Sequence, residues 1–129
     1  MKKLISIAIA IFITSICGLK AIAMDFETAY NQCSKKPVFA LIYAEWASNY
    51  QGDIDNFEAV GEKYANDANF VLLDIAKEDM AFYNSKYHMY PNIPYVVMYT
   101  NGGTISRYIP RDCVEDYRCL EGKIKAMIK

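Results

Sequence analysis

Lys36-Pro37-Val38-Phe39-Ala40-Leu41-Ile42-Tyr43-Ala44-Glu45-Trp46-Ala47-Ser48-Asn49-Tyr50 decides how the rest of the chain is read. Residues 38–44 form a short, near-continuous apolar run, which predicts a central strand covered on both faces. The run ends at Glu45-Trp46, and polar residues follow. Beyond them Ile54, Phe57, Val60, Gly61 and Tyr64 recur at helical spacing, predicting a helix over 53–64 with acidic residues in its first turn, where the helix dipole favours them. A buried strand thus delivers a loop, residues 46–50, to the mouth of a sheet.

Working outward, residues 25–33 read as a first short helix capped by Asp25 and stopped before Pro37. Residues 70–75 read as a second buried strand and 78–88 as another amphipathic helix. Residues 95–100 and 104–109 form a hairpin around Asn101-Gly102-Gly103, since Asn and Gly tolerate positive φ. A terminal helix over 112–129 places Lys123, Lys125 and Lys129 towards its negative end. This order predicts an α/β fold with a central mixed β-sheet flanked by helices.

Two motifs resemble the thioredoxin family. The first is the strand ending in Trp46, where the family has a Trp followed at once by Cys-x-x-Cys; here the two cysteine positions are Ala47 and Tyr50. The second is Ile93-Pro94-Tyr95, an Ile-Pro pair opening a strand, with Tyr95 where the family often has a small Thr. The loop before Pro94 (Tyr90-Pro91-Asn92) is one residue longer than usual. The resemblance covers most of the chain after residue 25. It implies a thioredoxin-like fold, a cis Ile93–Pro94 bond, and a peptide-binding groove formed by Trp46, Tyr50, Ile93, Pro94 and Tyr95, with Tyr90 nearby.

The same resemblance bears on activity. Dithiol exchange needs a thiolate to attack and a second thiol to resolve, and neither Ala47 nor Tyr50 supplies one. Many thioredoxins also carry a buried Asp five residues before the Trp, and Leu41 stands there. No catalytic residue is assigned to the degenerate redox loop of Trp46, Ala47, Ser48, Asn49 and Tyr50. Ser48 would need a base, and the single histidine, His88, reads as a polar residue at a helix end. No Cys-x-x-Cys spacing suggests a metal site, and no cofactor is implied. Tyr43, Tyr64, Tyr87 and Tyr99 read as core filling.

The first 23 residues read as a bacterial-type signal peptide. Lys2 and Lys3 precede an apolar run of about 13 residues, short of the ~20 a spanning helix needs, and Ala21-Ile22-Ala23 offers small residues for cleavage. Residues 24–129 are the domain, periplasmic or secreted. Ile16 before Cys17 is bulky where a lipidation signal wants a small residue. Cleavage would remove Lys2, Lys3 and Lys20, taking basic residues from 14 to 11 against 15 acidic, a net charge of about −4. That balance offers no case for nucleic acid or an anionic membrane, and leaves protein or peptide partners.

Three cysteines would remain, Cys33, Cys113 and Cys119, in a compartment that favours pairing. Six residues of helix advance roughly 9 Å, beyond the ~7 Å limit for a disulfide. Cys113 and Cys119 can therefore bond only if Cys113 precedes the helix, as Pro110-Arg111-Asp112 allows. The resemblance puts Cys33 at the far pole of the sheet. Three readings follow: a redox-inactive binding protein, an oxidoreductase using Cys113 and Cys119, and a dimer joined through Cys33.

Overall fold

The computed structural model describes residues 24–77, 92–101 and 105–128, with side chains from Arg107 onward in the last stretch. Residues 1–23 with Cys17, the expected helix over 78–88 with Tyr87 and His88, Tyr90, Pro91, Gly102 and Gly103 lie outside them. In chain order the elements are α1 (Phe26–Asn31), β1 (Val38–Tyr43), α2 (Tyr50–Lys63), β2 (Asn69–Asp74), β3 (Tyr95–Thr100), β4 (Ile105–Ile109), α3 (Arg111–Val114) and α4 (Tyr117–Ile128).

The four strands make one mixed sheet in the order β2-β1-β3-β4. β1 runs parallel to β2 (Leu41 opposite Leu72) and antiparallel to β3 (Leu41 opposite Val96), and β3 pairs antiparallel with β4. Strand period divides the apolar residues between two layers. Phe39 and Leu41 of β1, Phe70 of β2, and Val96 and Met98 of β3 pack with Phe57, Val60, Val114, Leu120 and Ile124 from α2, α3 and α4. Val38, Ala40 and Ile42, Val71 and Leu73, and Tyr95, Val97 and Tyr99 pack with Phe26 and Ala29 of α1. Burying each large side chain contributes roughly 1.5–3 kcal/mol, and both layers converge on β1, whose Val38 to Ile42 are all fully buried.

Two helices depart from the expected boundaries. α2 begins at Tyr50 instead of residue 53, because Asn49 takes the left-handed conformation (φ 63°) that Asn tolerates, and its carbonyl accepts from Asp53 N at 3.2 Å. The helix lies close on β2: a Cβ at Gly61 would come within 3.2 Å of the Phe70 ring. The terminal helix is broken in two. Asp116 Oδ1 accepts from Arg118 N at 3.0 Å and Cys119 N at 3.4 Å, so its side chain caps a fresh start and leaves α3 as a separate turn. Asp25 occupies the cap position of α1 but makes no side-chain cap bond. Tyr64 is half-buried against the core, as expected, and its hydroxyl also donates to Glu121 of α4, a bond that pushes its phenol up to about 12.

Candidate functional site

The end of β1 and the start of α2 build the loop at 46–50 without any thiol. Ala44 is buried, and its carbonyl accepts from Ala47 N at 3.0 Å, turning the chain outward. Trp46 projects into solvent, 71% exposed, and Ser48 is exposed beside it. Tyr50, the first residue of α2, stacks on Tyr43 with ring centroids 6.2 Å apart and planes 8° from parallel. Tyr43 is therefore half-buried beneath the loop. Its phenol is raised above the ordinary value by burial, then by the Asp74 and Glu45 carboxylates. Glu45 is tied to the end of β2 by Lys77 Nζ, which lies 2.8 Å from Glu45 Oε1 and 3.9 Å from Asp74 Oδ2.

Across from this loop the Ile93–Pro94 bond is cis, as the family resemblance implied. Pro94 is buried and Ile93 half-buried, at the entrance to β3. An open cleft of about 430 Å³ adjoins Ile93, lined by Asn92, Ile93, Tyr108, Pro110, Arg111 and Asp112. One wall is the Asn92–Ile93 turn and the other is the end of β4 running into α3. Neither Trp46 nor Tyr50 lines it.

The expected groove needs one correction. Tyr95 is fully buried, so it cannot touch a ligand. The reason is strand parity: Tyr95 points with Val97 and Tyr99 into the α1 layer, while Tyr50 packs against the opposite layer. Its ring meets Tyr108 at 5.5 Å, and it supports the cleft from behind.

At the corner between α3 and α4, Cys113 and Cys119 form a disulfide, with Cα atoms 5.1 Å apart. Cys113 does not precede all helical structure, as expected, but sits in the separate turn α3; the break at 115–116 closes the distance that a continuous helix would leave open. Cys113 is 5% exposed and Cys119 half-buried. Cys33 is free, 2% exposed and packed in the α1 layer.

Sequence reasoning missed Asp53. Its side chain is buried, with Oδ1 lacking any hydrogen bond. Burial first, then the Glu115 carboxylate, pushes its pKa up to about 6, and the Arg111 guanidinium pulls the other way. The signal was present: Asp53 lies four residues before Phe57 and so on the buried face of α2. One turn on, Asn56 Nδ2 donates to Val114 O at 3.4 Å, joining the same helix to α3. Tyr108, Arg111 and Asp112 of the cleft were also missed, being ordinary polar residues at an element junction. Among the described residues no cluster of three or more His, Cys, Asp or Glu side chains could hold a metal, and no helix is long and apolar enough to cross a membrane.

A mixed sheet with this strand order, a cis-proline entering β3, and a loop at the start of α2 define an α/β protein of the thioredoxin fold. Neither a protein-family model nor a curated protein matches the sequence. Solved structures do. Spinach chloroplast thioredoxin f (short form) superposes with a TM-score of 0.66 at 17% identity, covering 85% of this chain and 95% of that one. Thioredoxin f2 in a complex with ferredoxin:thioredoxin reductase gives 0.67 at 16%, covering 85% and 96%. The Trx4 domain of ERdj5 gives 0.65 at 14%, covering 85% and 97%.

Proposed function

We propose that this chain is a secreted or periplasmic protein of thioredoxin fold that lacks the dithiol at its Trp46 loop and binds polypeptide through the cleft beside Ile93 and Pro94. The observation that carries this reading is the pairing of a thiol-free loop, Ala47 and Tyr50, with an open cleft and an exposed Trp46 at the same end of the sheet. Large exposed aromatics with a polar tip suit protein contacts. Of the expected set, Trp46, Tyr50 and Ile93 remain as contacts, while the buried Pro94 lies behind Ile93. Tyr108, Arg111 and Asp112 join them, and Tyr95 drops out. The thioredoxin f2 structure is itself that of a complex with a protein, which agrees with a protein partner for this fold.

The test uses the exported protein. Its intact mass should begin at Met24. It should bind reduced, carboxymethylated lactalbumin, an unfolded polypeptide without free thiols, and Trp46→Ala should weaken that binding about tenfold. Unchanged binding by the Trp46 variant would remove the loop from the site.

The disulfide supports a second reading, in which Cys113 and Cys119 exchange with substrate thiols. Cys119 is half-buried, and Arg111 and Asp112 of the cleft adjoin Cys113 in sequence. Reduction of insulin that disappears in Cys113→Ser would favour this oxidoreductase; insulin left intact favours the binding protein.

A further inference from the structure

Resting on the reading of the cleft as a polypeptide groove, we propose that the Cys113–Cys119 disulfide is a redox latch on the groove wall: it holds α3 in place, and its reduction loosens α3 and weakens binding there.

The wall and one half of the latch share the four residues of α3. Arg111 and Asp112 face the cleft, while Cys113 and Val114 turn into the core. A helix of one turn has no stability of its own, since nucleation fixes three residues for a single hydrogen bond. α3 therefore depends on what it is fastened to. Its backbone bonds are local: Cys113 N and Val114 N to Pro110 O, and Glu115 N to Arg111 O. The Arg111–Glu115 ion pair, 3.6 Å apart, is also internal to the turn and exposed. Towards α2 the polar tie among the described residues is long, Asn56 Nδ2 to Val114 O at 3.4 Å. Val114 supplies apolar burial.

Asp53 opposes this docking. Its carboxylate is buried with an oxygen that has no partner, and the charged groups of the α3 segment acting on it are Glu115, which repels it, and Arg111, which attracts it. A buried, unpaired carboxylate favours states in which water reaches it. α4 is independent of the latch at its start, because Asp116 caps it. The disulfide thus joins a firmly started helix to a turn that is weakly tied and electrostatically opposed. A covalent bond at that position decides whether the wall stays ordered.

Opening the latch needs a dithiol or thiol reductant. A reductant thiolate attacks Sγ of Cys119, the less buried of the two residues, and the S–S bond breaks as Cys113 leaves and takes a proton. The second reductant thiol then displaces Cys119 as a thiol. The bridge gains two electrons and two protons, and the reductant departs as a disulfide.

The experiment is amide hydrogen exchange on the intact chain, oxidised and then reduced with dithiothreitol, alongside binding of reduced, carboxymethylated lactalbumin. On reduction, the amides of Cys113, Val114 and Glu115 should exchange at least about tenfold faster while those of β1 and β3 keep their rates. Affinity for the polypeptide should fall at least about fivefold. Equal exchange at Cys113, Val114 and Glu115 in both states would overturn the latch. So would acceleration spread evenly through β1 and β3, which would make the bond a general staple. Faster exchange in α3 with unchanged binding would also overturn it, by uncoupling wall from groove. Binding in neither state would reject the groove reading, while exchange would still decide whether the bond orders α3. Cys113→Ser with Cys119→Ser should match the reduced protein, showing that the bond and not the reagent acts.

Discussion

The loop at 46–50 and the corner at 113–119 both pack against the first turns of α2, yet they keep their shapes by different means. The loop contains no sulfur. It is positioned by the buried end of β1, the Ala47–Ala44 turn, the left-handed Asn49 and the Tyr50–Tyr43 stack. The corner carries the disulfide, and needs it because α3 is a single turn set against the unpaired Asp53 carboxylate. A loop joined directly to a fully buried strand inherits that strand's stability. A turn beyond the edge strand β4 has less to inherit. Thiols are thus absent where the architecture alone holds the geometry, and present as a bond where it does not.

The sharpest test puts thiols back in the loop. Ala47→Cys with Tyr50→Cys should give a protein that reduces insulin at least about tenfold faster than the parent, because the start of α2 aims its amides and dipole at the loop and favours a thiolate. Leu41 is fully buried, so adding Leu41→Asp should raise turnover while destabilising the fold by roughly 1–3 kcal/mol. If the thiol replacing Ala47 titrates near the ordinary ~8.5, the loop does not share the helix-start geometry claimed for it, and the comparison fails on its first side.

How much of this was legible beforehand follows from which signals are local. β1, β3 and the Ile93–Pro94 bond were legible because a continuous apolar run and a sequence motif each sit in one stretch. The face of Tyr95 was not. All of Tyr95 to Tyr99 is apolar and buried, so periodicity does not distinguish the two faces; only pairing with β1 and the position of α1 do. The early start of α2 was hidden because its first turn relies on a left-handed Asn49 and not on a side-chain cap. The break in the terminal helix was readable in principle: Asp116 is a capping residue. It was obscured by the continuous helical composition around it. By sequence Asp53 is a dipole-favoured first-turn acid, and its burial follows from how α2 packs in the fold.

A second, smaller effect addresses the corner. In the folded chain Asp53 is raised from 3.8 to about 6, so the native state holds the proton more tightly than the unfolded one. Below about pH 3 both states are protonated and nothing is lost. As pH rises through the window from 3.8 to about 6, the unfolded state ionises first and stability falls. Above about pH 6 the loss is complete. Two pKa units correspond to an upper value of about 3 kcal/mol, and a buried Asn still has to be accommodated. Asp53→Asn should therefore stabilise the protein by about 1–2 kcal/mol at pH 8, with the gain vanishing by about pH 3. Denaturant midpoints across that range check it. A gain that is constant with pH would mean that the carboxylate's charge does not oppose the docking of α3.

The smallest effect is expected from the clamp on the loop. Lys77 reaches Glu45 at 2.8 Å and looks like the counterpart of the disulfide, a tie between a loop and its neighbouring element. Both partners are substantially exposed, however, and exposed ion pairs are weakened by solvent, by salt and by the entropy of two long side chains. If the ends of β1 and α2 fix the loop, Lys77→Met should lower the thermal midpoint by no more than about 2 °C and leave Trp46 fluorescence unchanged. Even that loss should fade in about 1 M salt, where screening already silences the pair. Asp74 makes the experiment demanding. Its Oδ2 is buried without a hydrogen bond and faces the same ammonium at 3.9 Å, so removing Lys77 strips that oxygen of its nearest cation. A drop well beyond that limit, accompanied by a shift in Trp46 emission, would show that the loop does need a tie and that the two regions differ only in the chemistry of theirs. If instead Asp74→Asn in the Lys77→Met background restores the midpoint without altering Trp46, the loss belongs to the stranded carboxylate at the end of β2, and the loop stands by its backbone alone.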